Sequence, residues 1–313
     1  MKIVFMGTPD FAADSLRALI NAGHEVVLAV TQPDREKGRG KKVQCSPVKE
    51  LAVASGIPVF QPEKIKAPEA VEELGRYEAD IFVVAAFGQI LSREILEMPR
   101  FGCVNVHASL LPKYRGASPI QWAILNGDDI TGVTIMQMDE GLDTGDILSS
   151  SPVSITADDT GATLHDRLAD EGARLLVKTL PLIESGQIRP VPQLDPDSSY
   201  AGLLKKEMGR LDFSRTAMEL DRVIRAFNPW PGAYTTLEGK VLKIWNAEPV
   251  RSHEVPAETS AYGTIINVAP DSFDILTGDG ALRVFQLQSE GKKRMSTADY
   301  LRGNKLEKNT VCE

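Results

Sequence analysis

The sequence predicts an α/β protein: a mostly parallel sheet with helices on both faces, followed by a small C-terminal β-barrel. Apolar, β-rich runs alternate with helical patterns over the first half, which is the βαβα signature of such a sheet. Between Gly186 and Tyr200 the chain turns to Pro190, Pro192, Pro196 and polar residues with no period, which reads as a linker. Beyond it, short strands at even spacing with turn signals predict the barrel. These breaks divide the 313 residues into 1–188, a linker over 189–205, and 206–313.

In order, strands are expected at Lys2–Met6, Glu25–Thr31, Val59-Phe60, Asp80–Phe87, Cys103–Val106, Val133–Met138 and Asp146–Ile155. Helical patterns fall at Asp10–Ala22, Ser46–Ala54, Pro68–Arg76, Arg93–Leu96, Pro119–Asn126 and Thr160–Ser185. The second part opens with a helix over Ser214–Ala226. Strands follow at Tyr234–Leu237, Val241–Trp245, Gly263–Val268, Ser272–Leu276 and Leu282–Gln288, the last after Gly278-Asp279-Gly280. In parallel sheets the ligand crevice lies outside the carboxyl ends of the strands, so functional residues are sought there.

Composition limits the function classes. The net charge of −8 disfavours a protein that coats nucleic acid or membrane indiscriminately, so any RNA contact must be local. Acidic charge and no evident apolar stripe point to a monomer. Cys45, Cys103 and Cys312 are odd in number and form no C-x-x-C, which indicates neither a disulfide framework nor a thiolate metal site. The opening run Ile3–Met6 is too short for a signal-peptide core, and no stretch approaches the ~18 apolar residues of a membrane span. A cytoplasmic protein without membrane partners is expected.

The segment from Phe101 to Gly116 is the richest in chemistry. On a strand, period two sends Asn105 and His107 to one face and Val104 and Val106 to the other. The pair is either a hydrogen-bonded couple in a partly buried sheet or two donors that grip one carbonyl oxygen, and stabilising an oxyanion is commonly the largest catalytic contribution. An acid to complete the set comes from Met138–Asp146, a loop by virtue of Gly141 and Gly145; Asp143 is expected to turn inward and Asp139 and Glu140 outward. Strand parity puts Cys103 on the Asn105 face, but its apolar neighbours make it a packed thiol. Ser109 lacks a G-x-S-x-G elbow, and no histidine pair has metal-ligand spacing, so no metal is expected. Gly7-Thr8-Pro9-Asp10 lacks a full dinucleotide fingerprint and reads as a tight strand-to-helix turn, with Asp10 a cap or first-turn acid.

Two basic clusters stand out. Pro33–Lys42 carries five cations against Asp34 and Glu36; it is either a solvated loop or, with Gly38 and Gly40 around Arg39, one that approaches phosphates closely. The second is Lys292-Lys293-Arg294 with Arg302, Lys305 and Lys308 in the barrel. Phe227-Asn228-Pro229-Trp230-Pro231-Gly232 reads as an anchoring turn.

Asn105-x-His107 followed by Ser109-Leu110-Leu111-Pro112, with Asp143 in a glycine-rich loop, resembles the signature of the 10-formyltetrahydrofolate-dependent formyltransferases. Gly7-Thr8-Pro9-Asp10-Phe11, the basic loop and Phe227–Gly232 narrow the resemblance to the tRNA-formylating branch, over essentially the whole chain. It implies a Rossmann-like sheet (the formyltransferase fold) with an OB-like barrel that binds tRNA. It implies transfer of the formyl group of 10-formyltetrahydrofolate to the amine of initiator methionyl-tRNA, in support of translation initiation.

By position, Asn105 and His107 would hold the formyl oxygen. Asp143 would keep His107 charged and help to move protons through a water, and a carboxylate within ~4–6 Å does favour a charged imidazole. Gln89, Ile90 and Leu91 would border the pterin, although an apolar pocket wall and ordinary core share composition; Ser109, Leu110, Leu111 and Pro112 would form the adjoining folate loop. Arg39, Lys41 and Lys42 would enter the tRNA acceptor stem, and Lys292, Lys293 and Arg294 would meet tRNA from the barrel. Three rivals remain: a nucleotide-sugar formyltransferase, which gives no reason for the basic loop; a formyltetrahydrofolate hydrolase, which needs no basic barrel; and an RNA-binding module on a catalytically dead scaffold, against which Asn105, His107 and Asp143 argue.

Overall fold

The computed structural model describes residues 1–37, 42–251 and 261–313, which fall into two compact units. Unit 1 comprises residues 1–119, 130–154 and 165–201; unit 2 comprises 120–129, 155–164 and 202–313.

Unit 1 is built on β1 (Lys2–Gly7), β2 (Glu25–Val30), β5 (Val59–Phe60), β6 (Ile81–Ala85), β7 (Cys103–His107), β9 (Ile130–Gln137) and β10 (Ile147–Ser154), in the order β10-β9-β7-β6-β1-β2-β5. The five strands from β7 to β5 are parallel, while β9 runs antiparallel to both β7 and β10. The expected mostly parallel sheet is therefore present. Helices α1 (Asp10–Asn21), α2 (Pro47–Ala54), α3 (Pro68–Gly75), α4 (Arg93–Leu96), α5 (Pro119–Asn126) and α6 (Gly161–Glu184) connect it, and α5 and α6 continue into segments of unit 2.

Local chemistry accounts for these elements. Val4, Met6, Leu28, Val30, Phe82 and Val84 come from the β1, β2 and β6 runs and form one continuous buried cluster. Ser46 caps α2 by accepting from the Lys49 N–H at 3.1 Å, with Pro47 at the favoured first helical position. Pro9, rather than Asp10, occupies the α1 cap, and Asp10 is the first-turn acid. At Gly7 a Cβ would lie 2.5 Å from the Ala12 Cβ and 2.8 Å from the Ala85 carbonyl, so only glycine allows α1 to leave β1 so close to β6.

Two short pairings were not evident from the sequence. The start and end of the basic segment form an antiparallel ladder, β3 (Arg35–Lys37) with β4 (Lys42–Gln44). Within the expected linker, β11 (Tyr200–Ala201) pairs with β8 (Arg115–Gly116), and Val191 bridges Ile147, so residues up to 201 cluster with unit 1.

Unit 2 holds α7 (Ala217–Ala226) and an antiparallel sheet of β12 (Ala233–Leu237), β13 (Lys240–Val250), β14 (Ile265–Val268), β15 (Phe273–Leu276), β16 (Ala281–Ser289) and β17 (Met295–Ser296), ending in α8 (Thr297–Gly303). The order β12-β13-β16-β15-β14 leaves β12 and β14 as edges, and the chain's last residues cover both. Thr236 and Glu313 exchange both backbone bonds, while Asn309, Thr310 and Cys312 bond to Ile265 and Gly263. The tail thus closes the sheet into the expected small barrel and removes its open edges.

Candidate active site

Strand β7 sets the site. Val104 and Val106 are buried on one face, and the other presents Cys103, Asn105 and His107. Asn105 is half-buried and His107 is 5% exposed. On one side Val84 of β6 pairs with Asn105; on the other, Met136 of β9 does. The segment after β6 therefore leaves the sheet one strand from Asn105.

The loop between β9 and β10 brings Asp143 to this strand end. Its Oδ1 accepts from Asn105 Nδ2 at 3.4 Å, its Oδ2 accepts from the Gly116 N–H at 2.8 Å, and Oδ2 lies 3.6 Å from His107 Nδ1. The other ring nitrogen, Nε2, is 2.9 Å from the Tyr114 carbonyl, which only accepts, so Nε2 carries a proton. The Asp143 carboxylate lies close enough to Nδ1 to act as a counter-charge to an imidazolium. The contacts of Asn105 and His107 to the carboxylate, at 3.4 and 3.6 Å, are longer than good hydrogen bonds. Both side chains thus face the one Asp143 carboxylate, Asn105 through Oδ1 and His107 through Oδ2.

Asp143 sits at φ +55°, a region a non-glycine residue occupies only when held there. Several bonds hold it. Gln193 Nε2 donates to the Asp143 carbonyl at 2.9 Å and to the Gly145 carbonyl at 2.6 Å. Asp139 accepts from the Gly141 N–H and the Thr144 hydroxyl, so this expected outward-facing acid braces the loop. A Cβ at Gly145 would fall 1.8 Å from the Gln137 carbonyl, which bars any other residue there.

The remaining expected residues divide. Gln89 spends its side chain on the chain itself, accepting from the Ile65 N–H and donating to the Pro62 carbonyl. Ile90 is 64% exposed, while Leu91 belongs to the buried cluster of the sheet. Ser109 is buried and donates to the Lys113 carbonyl at 2.6 Å, and Thr134 bonds the same loop through the Ser109 carbonyl and the Leu111 N–H. These bonds fold Ser109–Lys113 into a rigid rim. Leu111 is buried; Leu110 and Pro112 are half-buried. Burial pushes the Cys103 thiol up to about 12, which leaves no thiolate for nucleophilic work. Among the described residues no group of three His, Cys, Asp or Glu side chains is placed to hold a metal, and no helix is long and apolar enough to cross a membrane.

A cleft of about 470 Å3 opens at the carboxyl ends of β1, β2 and β6, lined by Thr8, Gln32, Arg35, Ser46, Phe87 and Gly88 among others. Asn105, His107 and Asp143 are not in its lining, but Phe87 and Gly88 run directly into Gln89. At the base of the β3/β4 ladder, Asp34 accepts from Lys49 Nζ at 2.5 Å and Gln61 Nε2 at 2.8 Å, bonds that hold its carboxyl below the usual range.

Arg39 and Lys41 lie outside the described residues, and Lys42 opens β4. Lys292, Lys293 and Arg294 are exposed between β16 and β17. Arg294 stacks over Trp245 at 5.0 Å and bonds Gln286, while Lys243 Nζ lies 5.4 Å from the same ring. Trp245 Nε1 donates to Gln288, whose amide donates to the Lys292 carbonyl. The sequence reading missed Lys243 and Trp245, although their i, i+2 spacing on one strand face was a signal. It also missed Arg115 and Gln193. Arg115 lay unassigned in the rich segment, and Gln193 carried no signal in a proline-rich stretch.

Comparison with known proteins gives the family. Residues 1–180 match the family described as Formyl transferase, and residues 203–305 the one described as Formyl transferase, C-terminal domain. The chain is 54% identical over 308 residues to a protein of Lachnospira eligens named methionyl-tRNA formyltransferase, covering 98% of each. It also resembles the N-formyltransferase of Helicobacter canadensis solved with folinic acid and dTDP-3-aminofucose, at 22% identity and a TM-score of 0.67, covering 92% of this chain and 99% of that one. It spans 49% of HypX from Aquifex aeolicus, with 98% of this chain covered, 19% identity and a TM-score of 0.65.

Proposed function

The chain belongs to the formyl transferase family, and on that premise we propose that it moves the formyl group of 10-formyltetrahydrofolate to the amine of methionyl initiator tRNA, in the cytoplasm. The observation that carries the chemistry is the convergence of Asn105 Nδ2 and His107 Nδ1 beside Asp143. The nitrogen lone pair of the methionyl amine attacks the formyl carbon, and the C=O electrons move onto oxygen. Asn105 and the imidazolium hold that oxyanion, the largest contribution to the barrier reduction. Asp143, through a water, takes the amine proton and returns it to the folate nitrogen as the carbon–nitrogen bond to the donor breaks. The products are formyl-methionyl-tRNA and tetrahydrofolate, with no covalent enzyme intermediate.

Gln89, Ile90 and the Ser109–Pro112 rim are proposed to border the folate, mostly through backbone groups, since the side chains of Gln89 and Ser109 are already bonded within the chain. Leu91 supports that border from the core. Arg39, Lys41 and Lys42 are proposed to meet the acceptor stem, with the Asp34–Lys49–Gln61 cluster pinning their ladder. Lys292, Lys293 and Arg294, joined by Lys243 and Trp245, are proposed as the barrel's RNA contact, where cations beside an aromatic ring suit phosphates and a neighbouring base. Full-length identity of 54% to a methionyl-tRNA formyltransferase favours tRNA over a nucleotide sugar as acceptor.

Incubation with labelled formyl donor and, separately, charged initiator tRNA, an amino-sugar nucleotide or buffer tests the reading. Label is expected in the tRNA fraction, suppressed by ~0.2 M salt as phosphate contacts require. Label in the sugar nucleotide, or released only to water, would overturn it.

A further inference from the structure

Among the described residues Arg115 is the largest fully buried side chain, at 2% exposure, and the proposed chemistry gives it no role. Its Nε donates to Gln193 Oε1 at 2.9 Å and its Nη1 to Asp195 Oδ1 at 3.0 Å. The guanidinium thereby fixes the orientation of the Gln193 amide: with Oε1 bound to a cation, Nε2 faces the opposite way. There it meets the carbonyls of Asp143 and Gly145, on either side of Thr144. Asp143 is held at a φ of +55°, and Gly116, the residue after Arg115 in β8, gives its N–H to the Asp143 carboxylate. One buried cation thus reaches both ends of Asp143, the backbone through Gln193 and the carboxylate through its own neighbour in sequence.

We propose that Arg115 and Gln193 form a positioning relay that holds Asp143 in register with His107 and Asn105, so the stretch expected as a linker sets the geometry of the catalytic carboxylate. Neither residue touches the reacting atoms. Misplacement of a catalytic group by ~1 Å costs on the order of 10²-fold in rate, whereas the surfaces that bind donor and acceptor are unaffected. The signature is therefore a loss in kcat without a matching change in KM.

Gln193→Glu separates positioning from general support. It keeps an acceptor for the Arg115 Nε–H but removes both N–H donors to the loop. Because the inference rests on the proposed transfer, each variant is read both for label passed to methionyl-tRNA and for total formyl release from the donor, including release to water. A wild type that fails only the first reading overturns the tRNA assignment and leaves the relay measurable by the second. For Gln193→Glu, kcat is expected to fall ~10–100-fold with both KM values within about threefold and the melting temperature close to wild type. In an Asp143→Asn background the same change is expected to cost less than about threefold more, since two residues acting through one contact are not additive. Gln193→Met serves the same cycle if the glutamate variant does not fold. Wild-type kcat in either variant, a loss confined to KM, or full additivity with Asp143→Asn would overturn the relay.

Discussion

Replacing Asp143 by asparagine removes one charge from the site and almost no volume. The carboxylate lies 3.6 Å from His107 Nδ1 and takes the Gly116 N–H at 2.8 Å. Two unit charges at that separation interact by about 4.6 kcal/mol at the effective dielectric of ~20 that suits partly buried sites. The amide oxygen retains the Gly116 contact, so most of the loss falls on the imidazolium. At 1.36 kcal/mol per tenfold, a loss of about 3–4 kcal/mol corresponds to ~10²–10³ in kcat. The assay is steady-state transfer of labelled formyl to charged tRNA, with circular dichroism to confirm folding. KM for the donor is expected within about threefold of wild type. Turnover within tenfold of wild type in a folded Asp143→Asn protein would refute the charge pairing on which the mechanism rests.

Trp245→Ala is expected to raise KM for tRNA ~10-fold with kcat within about threefold, as base stacking contributes ~1–3 kcal/mol per base; an unchanged KM would remove the ring from the interface. In unit 2 the Thr216 backbone N–H, with Arg215 and the Thr216 hydroxyl, holds Glu219 down to about 2 from an ordinary 4.5. A depressed carboxyl stabilises above its unfolded value, so this contribution is complete above pH 4.5 and lost as pH falls toward 2. Melting curves should show that decline in wild type and not in Glu219→Gln, while Thr216→Ala should cost ~1 kcal/mol at neutral pH. Burial pushes Cys103 and Cys312 up to about 12, so at pH 8 a disulfide reagent should titrate only the half-buried Cys45 in the native protein and all three thiols after unfolding.

What the sequence made legible was whatever is periodic or local. Val104 and Val106 alternate with Asn105 and His107, so the strand and its functional face followed from parity, and Ser46 with Pro47 announced the start of α2. The loop's glycines and the Leu142 and Thr144 flanks point to Asp143 among four acids, but its inward turn depends on a φ of +55° and on Gln193, fifty residues away. Long-range pairing is invisible to local pattern. The same reason hid the tail from Asn309 to Glu313, which completes the barrel through residues more than forty positions earlier. Leu91 illustrates composition that does not discriminate: it reads equally as pocket wall or core, and the fold puts it in the core beside an exposed Ile90. Lys243 and Trp245 are far in sequence from the basic run, and only the pairing of β13 with β16 brings Trp245 to Arg294 in the turn before β17.

In the proposed transfer, Asn105 and His107 together carry the negative charge of the formyl oxygen at the end of β7. Single-turnover transfer from labelled formyl donor to methionyl-tRNA, with wild type and Asn105→Ala at saturating substrates, measures that step without interference from product release. Loss of one oxyanion donor predicts a rate ~10²–10³-fold lower in the variant with donor affinity within about threefold. Equal single-turnover rates in the two proteins would contradict it.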